Sequence, residues 1–235
     1  MNKYLVKSPC QITCYYNHHV HPQSSQPTVG VVPHRDSYSL QYSIHTCPLI
    51  LRDEIAQLFP HLTPADIKAR LLIIPVIQHT LSTPFDSLSE EQFGALRSDF
   101  VSFARQVVNK IKMRQQQQQH VGDQQQQDDA SSLTCGGSRS GGETVARTWT
   151  DFLDPASGQP VHSKASMASN YTDANLFQVL LKYSTETTRD SSSIVVHPVH
   201  GVNVFPSVIF TTAPADVVEQ VIDEIASIRP CNCHR

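Results

Sequence analysis

Tyr38-Ser39-Leu40-Gln41-Tyr42-Ser43-Ile44-His45 is the stretch at which regular patterning begins in this chain. Tyr38, Leu40, Tyr42 and Ile44 alternate with Ser39, Gln41, Ser43 and His45. Successive side chains of a strand point to opposite faces, so this alternation predicts a strand with one face in a core. The period then changes. Thr46 is placed to cap a helix that takes Pro48 in its first turn, carries Leu51, Ile55 and Leu58 inward, and ends at Pro60. A strand that hands over at once to an amphipathic helix implies layers of both kinds.

Downstream, Leu71-Leu72-Ile73-Ile74 predicts a second strand over 70–78. Its Pro75 has no N–H for a ladder, which predicts an edge or a bulge. Over 90–114, Phe93, Leu96, Phe100, Phe103, Val107 and Ile111 recur every three or four residues and form one apolar stripe. Ser89 and Gln92 have the spacing of a capping box, and Lys110, Lys112 and Arg114 suit the negative end of that helix. Gln115–Gln119, Gln124–Gln127 and Cys135–Gly142 then make a polar, low-complexity segment. It is expected to be a loop, 115–146, inside one domain, because closure entropy grows only logarithmically with loop length.

After that segment, alternation over Leu176–Tyr183 predicts a strand, with Phe177, Val179, Leu181 and Tyr183 on one side. The β-branched runs 194–199 and 202–211 predict two more, separated by a turn at His200-Gly201. A last helix follows Thr212, with Pro214 in its first turn and Val217, Val218, Val221, Ile222 and Ile225 inward. The expected fold is α+β, a single mixed sandwich domain over 37–229. Residues 1–36 are expected to form a disordered tail that doubles as a targeting segment, and 230–235 a flexible one.

Composition narrows the function classes. Hydrophobic residues make up 39% and charged residues 17% of the 235, with a net charge of -3. That balance gives no electrostatic basis for nucleic-acid binding. No apolar run approaches the ~20 residues a bilayer crossing takes, so no membrane insertion is expected. The six cysteines do not read as a disulfide framework in a chain of this length. The amino terminus has no acidic residue before Asp36 and carries Lys3, Lys7 and Arg35, a weak transit-peptide composition. A reduced compartment, mitochondrial and/or cytoplasmic, is the expectation.

Chemistry-bearing motifs are scarce. The chain has no Gly-x-Gly-x-x-Gly after a strand, P-loop, nucleophile elbow or His-Glu-x-x-His. Gly136–Gly142 follows glutamine tracts and reads as a spacer. Cys10, Cys14, His18, His19 and His21 are metal ligands by type but fit no structural zinc spacing. Cys231, Cys233 and His234 read as tail residues. Asp151 and Asp154 are near enough to act as paired carboxylates. Asp154-Pro155-Ala156-Ser157-Gly158 is also complete turn chemistry, with Asp to accept turn N–H groups, Pro to set φ and Gly for a positive φ. The turn reading is preferred. His197 and His200, flanking Pro198 between strands, are either a ligand or base pair or a coincidence among 12 histidines. Ser191-Ser192-Ser193 lacks a recognisable base. No catalytic, metal or cofactor-binding residue is assigned from these patterns.

Taken together, three stretches resemble a known family. They are Tyr42–Pro48 with Leu51-Arg52 and Leu58-Phe59-Pro60; Trp149–Gly158; and His197–Gly201 with Ile209–Pro214. In this order they resemble the cobalamin trafficking proteins named for methylmalonic aciduria and homocystinuria type D. The resemblance implies a nitroreductase-like fold that binds neither flavin nor cobalamin alone. It also implies a non-enzymatic adaptor that associates with the type C cobalamin-processing protein, and so meets cobalamin through that partner. The cofactor is then directed towards methionine synthase and methylmalonyl-CoA mutase. The alternative reading is a flavin- or cobalamin-dependent nitroreductase-like reductase. One departure stands out. Where the family has Gly-Cys-Cys, whose thiolate reaches cobalt in the complex, this chain has Asp190-Ser191-Ser192. A hydroxyl is not ionised near neutral pH and is a poor soft ligand, so either no sulfur–cobalt bond forms or another thiol, Cys231 or Cys233, substitutes.

Overall fold

The computed structural model describes residues 28–33, 39–80, 83–128, 148–163, 173–187 and 193–227. Five strands, β1 (Thr28–Pro33), β2 (Ser39–Thr46), β3 (Leu72–His79), β4 (Thr150–Phe152) and β7 (Val204–Thr211), form one sheet in the order β1-β2-β3-β7-β4. Every neighbouring pair is antiparallel. A separate antiparallel ribbon pairs β5 (Ser184–Thr187) with β6 (Ser193–Val196).

Helices cover both faces of the large sheet, following the two-residue period of its strands. Ile74, Val76 and Ile209 face α3 (Glu90–Asp128) and α5 (Ala215–Ser227), packing with Phe103, Val107 and Ile222 among others. Ile73, Ile77 and Phe210 face the other way, onto α1 (Arg52–Leu58), α2 (Pro64–Ala69) and α4 (Asp173–Leu181). The architecture is mixed α+β around an antiparallel sheet. Among the described residues, no helix is long and apolar enough to cross a membrane.

Local signals were reliable where their partners lie within a few residues. Ser89 and Gln92 form a reciprocal capping box: the Ser89 amide donates to Gln92 Oε1 at 3.0 Å and the Gln92 amide to Ser89 Oγ at 3.2 Å. In the Asp154 turn, the Ala156 amide donates to the carboxylate at 3.1 Å, the Gly158 amide to the Asp154 carbonyl at 2.8 Å, and Gly158 sits at φ +64°.

Several expectations are corrected. Residues 28–33, assigned to the tail, run as β1 against β2. The helix after Thr46 begins later: a 3-10 turn over Leu49–Leu51 intervenes before Arg52. Leu176–Tyr183 is not a strand, because α4 runs through Leu181, with Leu176 and Phe177 fully buried. A short apolar run fits either period, and packing chose. Pro75 lies in β3, between β2 and β7, rather than at an edge. The ladder to β2 lapses there, with pairs up to Tyr42↔Val76 and again from His45↔Ile73.

The largest correction concerns the glutamine tracts. Helix α3 does not stop at Arg114 but continues to Asp128, so the expected loop loses its first part to helix. Glutamine is a good helix former, and propagation from an established helix is far easier than nucleation. Lys110 and Arg114 are therefore mid-helix residues. Both pair with Glu224 of α5, Lys110 at 2.9 Å, and Arg114 also reaches Gln220. Beyond the tracts, β4 joins the same sheet as β2 and β3.

Candidate functional site

The three resembling stretches meet in space. Phe59 follows α1, Trp149 precedes β4 and Phe210 lies on β7. Their rings pack edge-on, Phe59 to Trp149 at 4.7 Å and Phe59 to Phe210 at 5.0 Å between centroids. The Trp149 amide donates to Thr212 Oγ1 and the Thr212 amide to the Trp149 carbonyl, both at 2.8 Å. Thr150 and Thr211 hydroxyls are 2.8 Å apart. Side chains from all three stretches thus meet at one junction.

Asp151 and Asp154 belong to this framework as well. Asp151 is fully buried, and its carboxylate accepts three backbone N–H groups: Phe152 at 2.8 Å, His162 at 3.0 Å and Ser163 at 2.7 Å. Trp149 Nε1 donates to Ser163 Oγ at 3.3 Å, so the 160–163 segment is held from both sides. Asp154 takes a two-pronged contact from Arg97 at 2.6 Å on each oxygen. Those hydrogen bonds hold its carboxyl below the usual range despite partial burial. Each carboxylate is committed to its neighbours, Asp154 to its turn and to Arg97, and Asp151 to the amides of Phe152, His162 and Ser163.

A pair that sequence reasoning missed lies on β2. Ser43 Oγ and His45 Nε2 are 2.7 Å apart, the contact of a nucleophile with its base. The signal was available: residues two apart on a strand share a face. The chemistry is poor, however. Burial lowers His45 to about 4, a weak base, and Ser43 is itself buried. Cys47, on the same face, has its thiol raised to about 11 by burial, with Arg52 offsetting part of that. It is a core residue, not a thiolate.

His197 and His200 are brought together, and His79, at the end of β3, joins them. The His79 and His200 ring centroids are 3.6 Å apart, His197 and His200 4.8 Å, and Tyr183 stands edge-on to His197 at 5.1 Å. His197 Nδ1 accepts the amides of Val199 at 3.1 Å and His200 at 3.2 Å. Backbone amides only donate, so the ring proton must sit on Nε2. Neither nitrogen of His197 then has a lone pair free for a metal. Consistently, no group of three His, Cys, Asp or Glu among the described residues is placed to hold a metal ion. The turn itself is closed by paired backbone bonds between His197 and Gly201, with Gly201 at φ +59°. Gly201→Ala is expected to cost about 1 kcal/mol in thermal or urea unfolding. The new Cβ would meet nothing within 4 Å, so only the backbone conformation opposes it.

Asp190, Ser191 and Ser192, between β5 and β6 in the sequence, lie outside the described residues, as do Cys231 and Cys233. No family model matches the chain, and no curated protein matches it.

Proposed function

We propose that this chain is a non-enzymatic adaptor of intracellular cobalamin metabolism, with a nitroreductase-like fold. It binds a type C-like cobalamin-processing protein and directs the cofactor towards methionine synthase and methylmalonyl-CoA mutase. The observation that carries this reading is the Phe59–Trp149–Phe210 junction. Side chains from three separately recognised stretches pack on one another there. Accidental matches scattered along a chain have no reason to converge, whereas the framework of a shared fold does. Function comes with that kinship and not from the junction itself.

The β5–β6 ribbon is the partner-facing element in this reading, because the residues at the family's thiolate position lie between its two strands. Without a cysteine there, the partner's cobalt is either left without sulfur from this chain or is reached by Cys231 or Cys233.

The test is size-exclusion chromatography of the full chain with a cobalamin-loaded type C homologue, read by protein and corrin absorbance. Co-elution is expected. Failure to co-elute under every cobalamin form and reductant tried would refute the adaptor, and flavin absorbance in the purified chain would favour the reductase. An unchanged cobalamin spectrum when Cys231 and Cys233 are both replaced by serine removes the substitute thiol. Ser191→Cys is expected to shift that spectrum, by restoring a soft ligand at the family's position.

A further inference from the structure

We infer that His79, His197 and His200 form a proton-sensitive latch that holds the β6–β7 turn against the end of β3 and opens, with the large sheet intact, as the medium becomes acidic. This inference is independent of the adaptor reading.

The turn over residues 197–203 is a junction of three parts. His197 and Gly201 exchange backbone hydrogen bonds at 2.7 and 2.8 Å, which ends β6. The Asn203 carbonyl accepts the Thr80 amide at 3.1 Å, and the Val202 carbonyl accepts the Phe85 amide at 3.0 Å. The segment after β3 is therefore fastened to the same turn. The histidines sit where these parts meet.

Two features make the latch sensitive to protons. His197 Nδ1 can accept two amides only while it carries no proton. A proton placed there would face two N–H groups, and both bonds would be lost. Secondly, the His79 and His200 ring centroids are 3.6 Å apart, so a charge on one ring disfavours charge on the other. Among the described residues, the titratable groups in ring contact within the cluster are the three imidazoles, from β3 and the turn, and the Tyr183 phenol from the segment entering β5. Among the described residues, no salt bridge joins a carboxylate to any of the three rings.

Burial first, and then neighbouring imidazoles, lower His79 and His197 from 6.5 to about 4; burial lowers His200 in the same direction. The opened turn, with its imidazoles in water, binds more protons than the closed one between these values. Opening thus becomes more favourable as pH falls from 6.5 towards 4, and above 6.5 it does not depend on these groups. The opening constant rises about tenfold per pH unit for each proton taken up.

The experiment follows the full chain by NMR from pH 7.5 to 4, reading imidazole signals and amide exchange corrected for intrinsic rates. The latch predicts that His79 and His197 stay neutral to well below pH 6, and that His200 charges below its ordinary range. They then charge together, as protection is lost at 197–203 and at the Thr80 and Phe85 amides but retained along β3 and β7. Two findings overturn it: independent titration of the rings near 6.5, or charging of the rings while the turn amides stay protected. In His79→Gln/His200→Gln, the pH dependence of opening is expected to fall to that of one proton, about tenfold per unit. An unchanged slope in a folded double variant also overturns it. If that variant does not fold, the wild-type titration decides alone.

Discussion

Phe59→Ala should lower the free energy of unfolding by about 3–5 kcal/mol, the range for deleting a fully buried phenylalanine whose surroundings relax only partly. Phe59 has 0% exposure and touches both Trp149 and Phe210. Truncation removes its own transfer free energy and two aromatic contacts, and leaves a cavity where α1, β4 and β7 converge. Trp149 is the only tryptophan in the chain, so its fluorescence reports this junction directly and should shift to the red. Leu49→Ala is a suitable control. It deletes a comparable side chain that is 77% exposed, and is expected to change stability by less than about 0.5 kcal/mol. A loss below about 1 kcal/mol for Phe59→Ala would mean that the three stretches do not interlock, and the strongest support for the proposed kinship would go with it.

Asp151→Ala is expected to cost about 2–3 kcal/mol, because it removes a fully buried carboxylate that accepts three backbone N–H groups, one of them buried itself. Those donors belong to Phe152, His162 and Ser163. Asp151→Asn should fall between wild type and alanine. Its carbonyl oxygen keeps the two bonds made by Oδ1, to Phe152 and His162, but its NH2 group then faces the Ser163 amide as donor against donor. Urea denaturation of the three proteins gives the order. Were Asp151 instead an acid–base group with spare capacity, alanine and asparagine would leave stability nearly unchanged. The magnitude therefore separates a structural carboxylate from a chemical one.

The elements that sequence reading placed well share a property: the groups that define them are close along the chain. The Ser89–Gln92 box closes over three residues, and the Asp154–Gly158 turn is complete in five. The stripe from Phe93 to Ile111 repeats within each helical turn. Misreadings arose where a local pattern was degenerate or where a neighbour distant in sequence decided. The 176–183 run satisfies a two-residue and a helical period at once. The glutamine tracts carry no apolar stripe and look like loop, yet they follow a helix already nucleated and stay helical to Asp128. Pro75 reads as an edge or bulge residue because its missing N–H is a local fact. That the strand around it is central, and the ladder to β2 yields instead, is not.

The candidate site divides in the same way. Sequence alone placed His197 and His200 at a strand end and Asp154 in a turn. Both are statements about neighbours in the chain. Only the tertiary structure brought His79 to that turn, desolvated the Ser43–His45 pair, and committed Asp151 to three amides. Burial, and the pairing of strands far apart in sequence, decide whether an imidazole stays neutral or a carboxylate is spent on structure. Both depend on what covers a residue, and that information is spread over the whole chain.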